Sequence, residues 1–495
     1  MIKYLCMTDI KEILNSLNEE QVKPVLDTEG AVLVIAGAGS GKTRVLTSRI
    51  AYLVLEKKVA PSNILAITFT NKAAGEMKER LKKIIGDVSE MWVSTIHSMC
   101  VRILRSYIDK IGFDRNFTIY DETDKDKLLK RVFKELNYDA EKLLKTSKNY
   151  ISLAKNACLS PDAFESEYSG LVCGKEIANV YRLYDIYLRR NNSLDFDDLL
   201  FKTYELFTEF PQVADIYSQL FKYVHIDEFQ DTNKVQFAIA SRLALSNGNL
   251  FVVGDDDQSI YGWRGADVYN ILSFDKIYKN AKIYKLERNY RSTKKILSLA
   301  NNIIKCNKSR REKELWTENP EGARVEVFTG TDENNEATFT AIQIKNLMDR
   351  YKDYSFKDFA VFMRINALSR AYEQEFTKYG IPYKVYGGFR FFERKEIKDV
   401  LAYLKIINNP FDDESFLRSI ATPKRGIGEK SLQDLREFCA SREICLYDGV
   451  CRLQESDFSN ALKTKLNNFK MLLDSFRNYS ENHTVPELLS HILKN

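Results

Sequence analysis

The hydrophobic pattern along the chain falls into short continuous apolar runs separated by longer stretches with helical spacing. Ala31 to Ile35, Ile64 to Thr68, Tyr223 to Ile226 and Leu250 to Val253 are such runs. Strands covered by helices on both faces lack in-and-out alternation and read this way, so the pattern predicts a parallel α/β sheet. A second set, Ile283 to Leu286, Val325 to Phe328, Phe359 to Met363 and Tyr383 to Tyr386, repeats the style and predicts a second α/β domain in tandem.

Between about Tyr107 and Arg190 the strand pattern gives way to Lys, Leu, Glu and Tyr at helical spacing, which predicts a helical insertion. After Gly387 and Gly388 the pattern turns helical again, through Ile397 to Ile407 and onward, punctuated by Pro410, Pro423, Gly426 and Gly428. The expected organisation is a first core domain over 1–106 and 191–282, interrupted by a helical insertion over 107–190. A second α/β domain over 283–387, incomplete, follows, and then a helical insertion over 388–495, cut short.

Composition narrows this picture. With 495 residues and 44% hydrophobic content the chain has enough apolar surface for several cores. Its 74 basic and 69 acidic residues leave a net charge of +5, so any nucleic-acid site must be a local groove. The eight cysteines, Cys6, Cys100, Cys158, Cys173, Cys306, Cys439, Cys445 and Cys451, form no CxxC pair and read as reduced thiols. No run of roughly 18 apolar residues exists to span a bilayer, and the N-terminus is polar at Asp9, Lys11 and Glu12. A cytoplasmic protein with no membrane partner is expected.

The run Ala31 to Ile35 leads into Ala36, Gly37, Ala38, Gly39, Ser40, Gly41, Lys42 and Thr43, a Walker A loop with alanine in place of its first glycine. Amides freed of side chains can wrap a triphosphate, with Lys42 on the β/γ oxygens, Thr43 on Mg²⁺ and the next helix pointing its positive end at the anion. Tyr223 to Ile226 ends in Asp227 and Glu228, a Walker B pair at a strand's carboxyl end. Asp227 is suited to the Mg²⁺ shell and Glu228 to orienting and deprotonating the attacking water. Leu250 to Val253 delivers Asp255, Asp256, Asp257 and Gln258. The amide of Gln258 can sense the γ-phosphate, whereas the three acids read equally well as a solvated turn.

Around these two motifs the chain resembles the UvrD, PcrA and Rep family of superfamily 1 helicases. Leu17 to Gln21 is similar to the family's Q motif, which implies that Gln21 reads adenine. Thr68 to Ala74 resembles motif Ia and Ser94 to Ser98 the next DNA-contact motif, with Ile96 replacing an aromatic. The implied DNA contacts are Phe69, Thr70, Asn71, Thr95 and His97. Asp255 to Ala266 resembles motif III, and implies Tyr261, Trp263 and Arg264 as further contacts. A flat aromatic such as Trp263 offers every base a π face; the bland alternative is a tryptophan filling a sheet edge. Leu286 to Ser292 resembles motif IV, implying that Tyr290 packs on adenine and that Arg291 is a finger to the γ-phosphate. From the residues alone, Arg291 could equally be a capping arginine paired to Glu287. Arg44 completes the implied nucleotide-binding set.

Gly387 to Ile407, with Phe391, Phe392 and Glu393, resembles the start of the family's second insertion. Lys424, Arg425, Gly426, Ile427 and Gly428 then supply a basic glycine turn before a helix, where Lys424, Gly426 and Gly428 could cradle a duplex backbone. Asp195, Asp197 and Asp198 read as first-turn acids suited to a helix dipole. The basic run Lys308, Arg310, Arg311 and Lys313 reads as a solvated face, and His225 as a packed residue.

The resemblance implies two RecA-like domains each carrying a helical insertion, an ATP- and Mg²⁺-dependent motor, and 3′ to 5′ movement on single-stranded DNA. It also implies action at single/double-strand junctions in repair or replication. Motifs V and VI are expected to lack counterparts in the chain. The alternative reading is accordingly a truncated or split product that binds ATP and single-stranded DNA without unwinding, completed by a separately encoded C-terminal remainder.

Overall fold

The structure is a computed structural model that describes residues 9–308, 310–386 and 394–495. Its centre is a six-stranded parallel sheet of β1 (Val32–Ala36), β2 (Ile64–Thr68), β3 (Trp92–Thr95), β6 (Tyr223–Ile226), β7 (Leu250–Gly254) and β8 (Lys282–Leu286). A separate pair joins β4 (Thr118–Ile119) to β5 (Ser193–Leu194). The sheet order is β3-β2-β6-β7-β1-β8, so the carboxyl ends of β1, β6 and β7 open on one edge. Every side chain of β1, β2 and β7 is buried, as their continuous apolar runs predict. The pairings Val34 with Val253 and Ile67 with Ile226 bring those ends level.

Two apolar layers cover the sheet. One gathers Leu33, Leu65, Val224 and Val252 with the helices Ile96–Tyr107 and Asp198–Glu209. The other gathers Val32, Val34, Ala66 and Val253 with the helices Lys42–Leu55 and Asn71–Ile85. The predicted helical insertion forms its own core from Tyr120, Leu128, Phe133, Ile151, Tyr181 and Tyr184. The C-terminal helices form another, around Ile406, Phe416, Leu435, Leu466 and Phe469.

Two strand expectations are corrected. Ile283 to Leu286 does not open a second sheet: it lies in β8, paired to β1 from Val32 with Lys282 to Ala36 with Leu286. Apolar runs do not encode their partner, and here β1 offers the free edge. Val325 to Phe328, Phe359 to Met363 and Tyr383 to Tyr386 join no ladder among the described residues. Val327, Phe362 and Tyr386 are exposed, whereas Ala341, Ile344, Phe376 and Ile381 form a small core between the helices Glu333–Arg350 and Ser369–Lys378. A run can be apolar and extended without a neighbouring strand at ladder distance, and periodicity does not separate the two cases.

Three other readings sharpen. Asp195 and Asp198 do sit at the start of a helix, but they are fully buried against Lys155, at 2.9 and 2.8 Å. Lys125 adds bonds to Asp195 and Asp197, so the acids tie the helical insertion to the core as well as suiting a dipole. The basic run is no solvated face: Arg310 grips Asp257 with two nitrogens, and Lys313 lies among Asp255, Asp256 and Asp257. The three acids are therefore paired, not a solvated turn. His225 is packed and buried, as read. Gly387, Gly388, Phe391, Phe392 and Glu393 lie outside the described residues.

Candidate nucleotide and nucleic-acid site

β1 ends at Ala36 and the helix Lys42–Leu55 begins six positions beyond it. Gly39 and Gly41 lie between them with φ of 71° and 92°, a region that L side chains avoid, so glycine is what lets the loop curl. Ser40 closes the turn through its amide and its hydroxyl, both donated to the Gly37 carbonyl. Ala38, Thr43 and Arg44 lie on the same loop-helix corner, with Arg44 exposed.

Gln21 is buried beside this loop. Its amide donates to the Ser40 carbonyl at 2.9 Å and accepts from the Asn18 amide at 3.2 Å. The segment after β8 braces the other side: the Tyr290 amide donates to the Gly39 carbonyl, and Asn289 Nδ2 donates to the Ala38 carbonyl. The Tyr290 hydroxyl accepts from Asn18 Nδ2 at 2.7 Å, and Arg288 lies over the Tyr290 ring. Arg291 is exposed, and Glu287 accepts from the Glu314 amide instead of pairing with it, which removes the capping alternative. Gln21, Tyr290 and Arg291 are thus brought to the Walker A loop.

β6 delivers Asp227 and Glu228 opposite Lys42. Lys42 Nζ and Glu228 Oε2 are 2.7 Å apart, and Glu228 adopts φ 51°, a strained conformation for a residue other than glycine that turns its carboxylate into the cleft. Asp227 is buried and accepts from the Glu228 amide. Burial, and then the neighbouring Glu228 charge, push its carboxyl up to about 6. Among the described residues no ion pair reaches Asp227, so a buried carboxylate without a contacting countercharge faces the Walker A corner. That suits one protein ligand of a magnesium ion otherwise held by phosphate, water and the Thr43 hydroxyl. Gln258, after β7, donates to the Asp255 carboxylate.

The residues expected to meet DNA gather along the adjoining edge. Thr70 and Thr95 cap the helices Asn71–Ile85 and Ile96–Tyr107, accepting from the amides of Ala73 and Ser98. Phe69 is exposed and stacks on Tyr261 with centroids 4.9 Å apart, and Asn71 is exposed beside it. His97 stacks on Phe196 at 4.1 Å; burial, against the pull of Asp197, draws its imidazole down to about 4 and leaves it neutral. Thr68, Phe69, Thr95, His97, Asp227 and Glu228 share a pocket of ≈ 50 Å³, so this edge and the carboxylates are continuous. Trp263 lies in the turn Gly262–Arg264 and is 67% exposed, which excludes the sheet-edge filler alternative.

Lys424, Gly426 and Gly428 are not brought to this edge but to the C-terminal helical region, exposed ahead of the helix Glu429–Ala440. Lys465 donates to the Gly426 carbonyl there.

Sequence reasoning missed Phe196, Gln230 and the Arg310 and Lys313 clamp. Phe196 is an exposed aromatic flanked by acids, a signal visible in the sequence. The partners of the other three are set by the fold.

The comparisons agree with this geometry. The family model described as UvrD/REP helicase N-terminal domain matches residues 17–279, and that described as UvrD-like helicase C-terminal domain matches residues 284–455. The ATP-dependent DNA helicase PcrA of Bacillus subtilis (strain 168) is 46% identical over 484 residues, 97% of this chain and 65% of that protein. PcrA of Staphylococcus aureus (strain NCTC 8325 / PS 47) is 46% identical over 487 residues, 97% and 66% respectively. PcrA of Staphylococcus epidermidis is 43% identical over 484 residues, again 97% and 66%. The chain belongs to the UvrD/REP helicase family. It spans about 65% of the length of the curated relatives it matches. The expectation that motifs V and VI lack counterparts is not borne out, because the family's C-terminal domain is matched within the chain. The same match leaves a separately encoded C-terminal remainder without support.

Proposed function

We propose that the chain is an ATP-dependent DNA translocase and helicase that couples hydrolysis to 3′ to 5′ movement on single-stranded DNA and opens duplexes at junctions during repair or replication. The observation that carries this reading is the contact of Lys42 with Glu228 on the sheet edge that also bears Phe69, Tyr261 and Trp263. In this reading the amides from Gly37 to Thr43 wrap the triphosphate, and Lys42 leaves Glu228 for the β/γ oxygens. Glu228 is then free to orient the attacking water. Asp227 and Thr43 would hold Mg²⁺, which when bound would neutralise charge building on the phosphates. Gln21 and Tyr290 take the adenine, and Gln258 and Arg291 attend the γ-phosphate.

Phe69, Thr70, Asn71, Thr95, His97, Tyr261, Trp263 and Arg264 line the single strand, and Lys424, Gly426 and Gly428 the duplex backbone. The division into domains follows the sequence expectation, with β8 assigned to the first domain and no sheet of its own among the described residues of the second. Similarity to PcrA helicases over 97% of the chain supports a motor over a binding-only product, and supports a cytoplasmic location. The test is ATP hydrolysis with and without single-stranded DNA, with Lys42→Ala and Glu228→Gln as controls, and strand displacement on 3′- and 5′-tailed duplexes. DNA-stimulated turnover lost in both controls is expected. Turnover indifferent to DNA would defeat the motor reading, and displacement from the 5′ tail alone the polarity.

A further inference from the structure

Gln230 follows the Walker B acids by two positions and is 1% exposed. A primary amide carries donors at one end and an acceptor at the other, and Gln230 uses both. Its Nε2 donates to Glu228 Oε2 at 2.9 Å, and its Oε1 accepts from the Asp255 amide, also at 2.9 Å. Its own carbonyl accepts from the Ser259 hydroxyl at 3.3 Å. A Cβ on Gly254 would stand 2.7 Å from Gln230 Oε1, so β7 ends in glycine where this amide passes. From Asp255 the chain runs directly to Gln258, Tyr261 and Trp263, with Tyr261 stacked on Phe69.

Among the described residues Glu228 thus has two side-chain donors, Lys42 and Gln230. When Lys42 turns to the phosphate oxygens, Gln230 is the one of the pair that stays on the carboxylate. We propose that Gln230 is a positioning residue that ties the Glu228 carboxylate to the loop after β7, so that single-stranded DNA on that loop sets where Glu228 sits. This rests on the motor reading above. Because binding linkage is reciprocal, nucleotide in the cleft then alters the grip on DNA through the same amide.

The test compares wild type, Gln230→Ala and Gln230→Glu. Loss of a hydrogen bond to a charged group predicts that Gln230→Ala lowers DNA-stimulated kcat roughly tenfold or more, with KM for ATP within about twofold of wild type. A non-hydrolysable ATP analogue is expected to shift wild-type affinity for oligo(dT) and to leave the variant's nearly unmoved. Gln230→Glu sets two carboxylates face to face at neutral pH but regains a donor when protonated. Its activity relative to wild type is therefore expected to climb as pH falls toward 6, which a merely structural role would not produce.

Wild-type stimulation in Gln230→Ala, or a Gln230→Glu profile parallel to wild type, would overturn the proposal. If Gln230→Ala proves unstable by thermal melting, the Gln230→Glu profile decides. A wild-type chain with no DNA-dependent turnover would sink the motor reading and this inference with it, whereas failure of the variants alone sinks only the inference.

Discussion

Lys42 and Glu228 lie 186 positions apart in the chain, yet their side chains meet at 2.7 Å across the nucleotide cleft. The Lys42 side chain is 11% exposed and that of Glu228 34%, so the pair is partly screened from water. In the proposed motor, ATP would have to separate it. Glu228→Gln removes that competition, and is expected to bind a non-hydrolysable ATP analogue more tightly than wild type. Its turnover should fall by on the order of 10²–10⁴-fold, as loss of a positioned general base does. Weaker analogue binding by Glu228→Gln in equilibrium titration would show that the ion pair does not compete with nucleotide.

Asp227 gives a pH dependence of definite sign. Its carboxyl is held up at about 6, first by burial and then by Glu228, above the ordinary value of 3.8. The folded chain therefore binds this proton more tightly than the unfolded chain. The stabilising share is fully present below about pH 4 and is lost as pH rises through about 6. Asp227→Asn is expected to stabilise the nucleotide-free chain at pH 7.5 by on the order of 1–3 kcal/mol, an advantage that shrinks between pH 6 and 4. If Asp227 holds Mg²⁺ as proposed, the wild-type Mg²⁺ requirement should rise about tenfold per pH unit below 6. Thermal melting across pH and Mg²⁺ titration of turnover check both; an unstable Asp227→Asn would reverse the assigned sign.

The sheet was legible because β1, β2 and β7 are buried throughout and β6 nearly so, and their runs are almost wholly apolar, with His225 the polar exception in β6. β3 begins with a half-buried Trp92 and alternates burial, and this weaker signal went unread. Pairing partners were not legible: nothing in Ile283 to Leu286 states that β1 lies beside it. The Walker residues could be named because backbone geometry demands glycine at Gly39 and Gly41, and because two acids end a buried strand. Gln230 could not, since its meaning depends on Glu228 and on the amide of Asp255 just past a different strand. The Asp255 to Asp257 run was ambiguous for the same reason, its countercharges Arg310 and Lys313 lying more than 50 positions on.

Trp263 is expected to behave as a base-stacking platform. Trp263→Ala should weaken binding of oligo(dT) and of mixed-sequence oligonucleotides alike, by about 1–3 kcal/mol, and leave ATP-analogue affinity in the absence of DNA unchanged. Fluorescence anisotropy on several sequences measures this. A loss confined to one sequence would point to hydrogen-bond readout, and no loss at all would remove Trp263 from the strand's path.

The buried cluster under the helical insertion makes two neighbouring acids unequal. Asp195 accepts from Lys155 and from the Tyr184 hydroxyl and lies 3.2 Å from Lys125; despite full burial, those charges hold its carboxyl well below the usual range. Asp198 is pushed up to about 7, first by burial and then by Asp195, although Lys155 stands 2.8 Å from it as well. Removing one partner of a buried pair strands the other charge and costs about 3–5 kcal/mol. Asp195→Asn and Lys155→Met should each lose that much in urea unfolding at pH 7. Asp198→Asn, which keeps an oxygen for the Asp195 amide, should lose less than about 1 kcal/mol, the net worth of one hydrogen bond. Equal losses for the two asparagine variants would mean that the charge is shared evenly between the acids and not carried by Asp195.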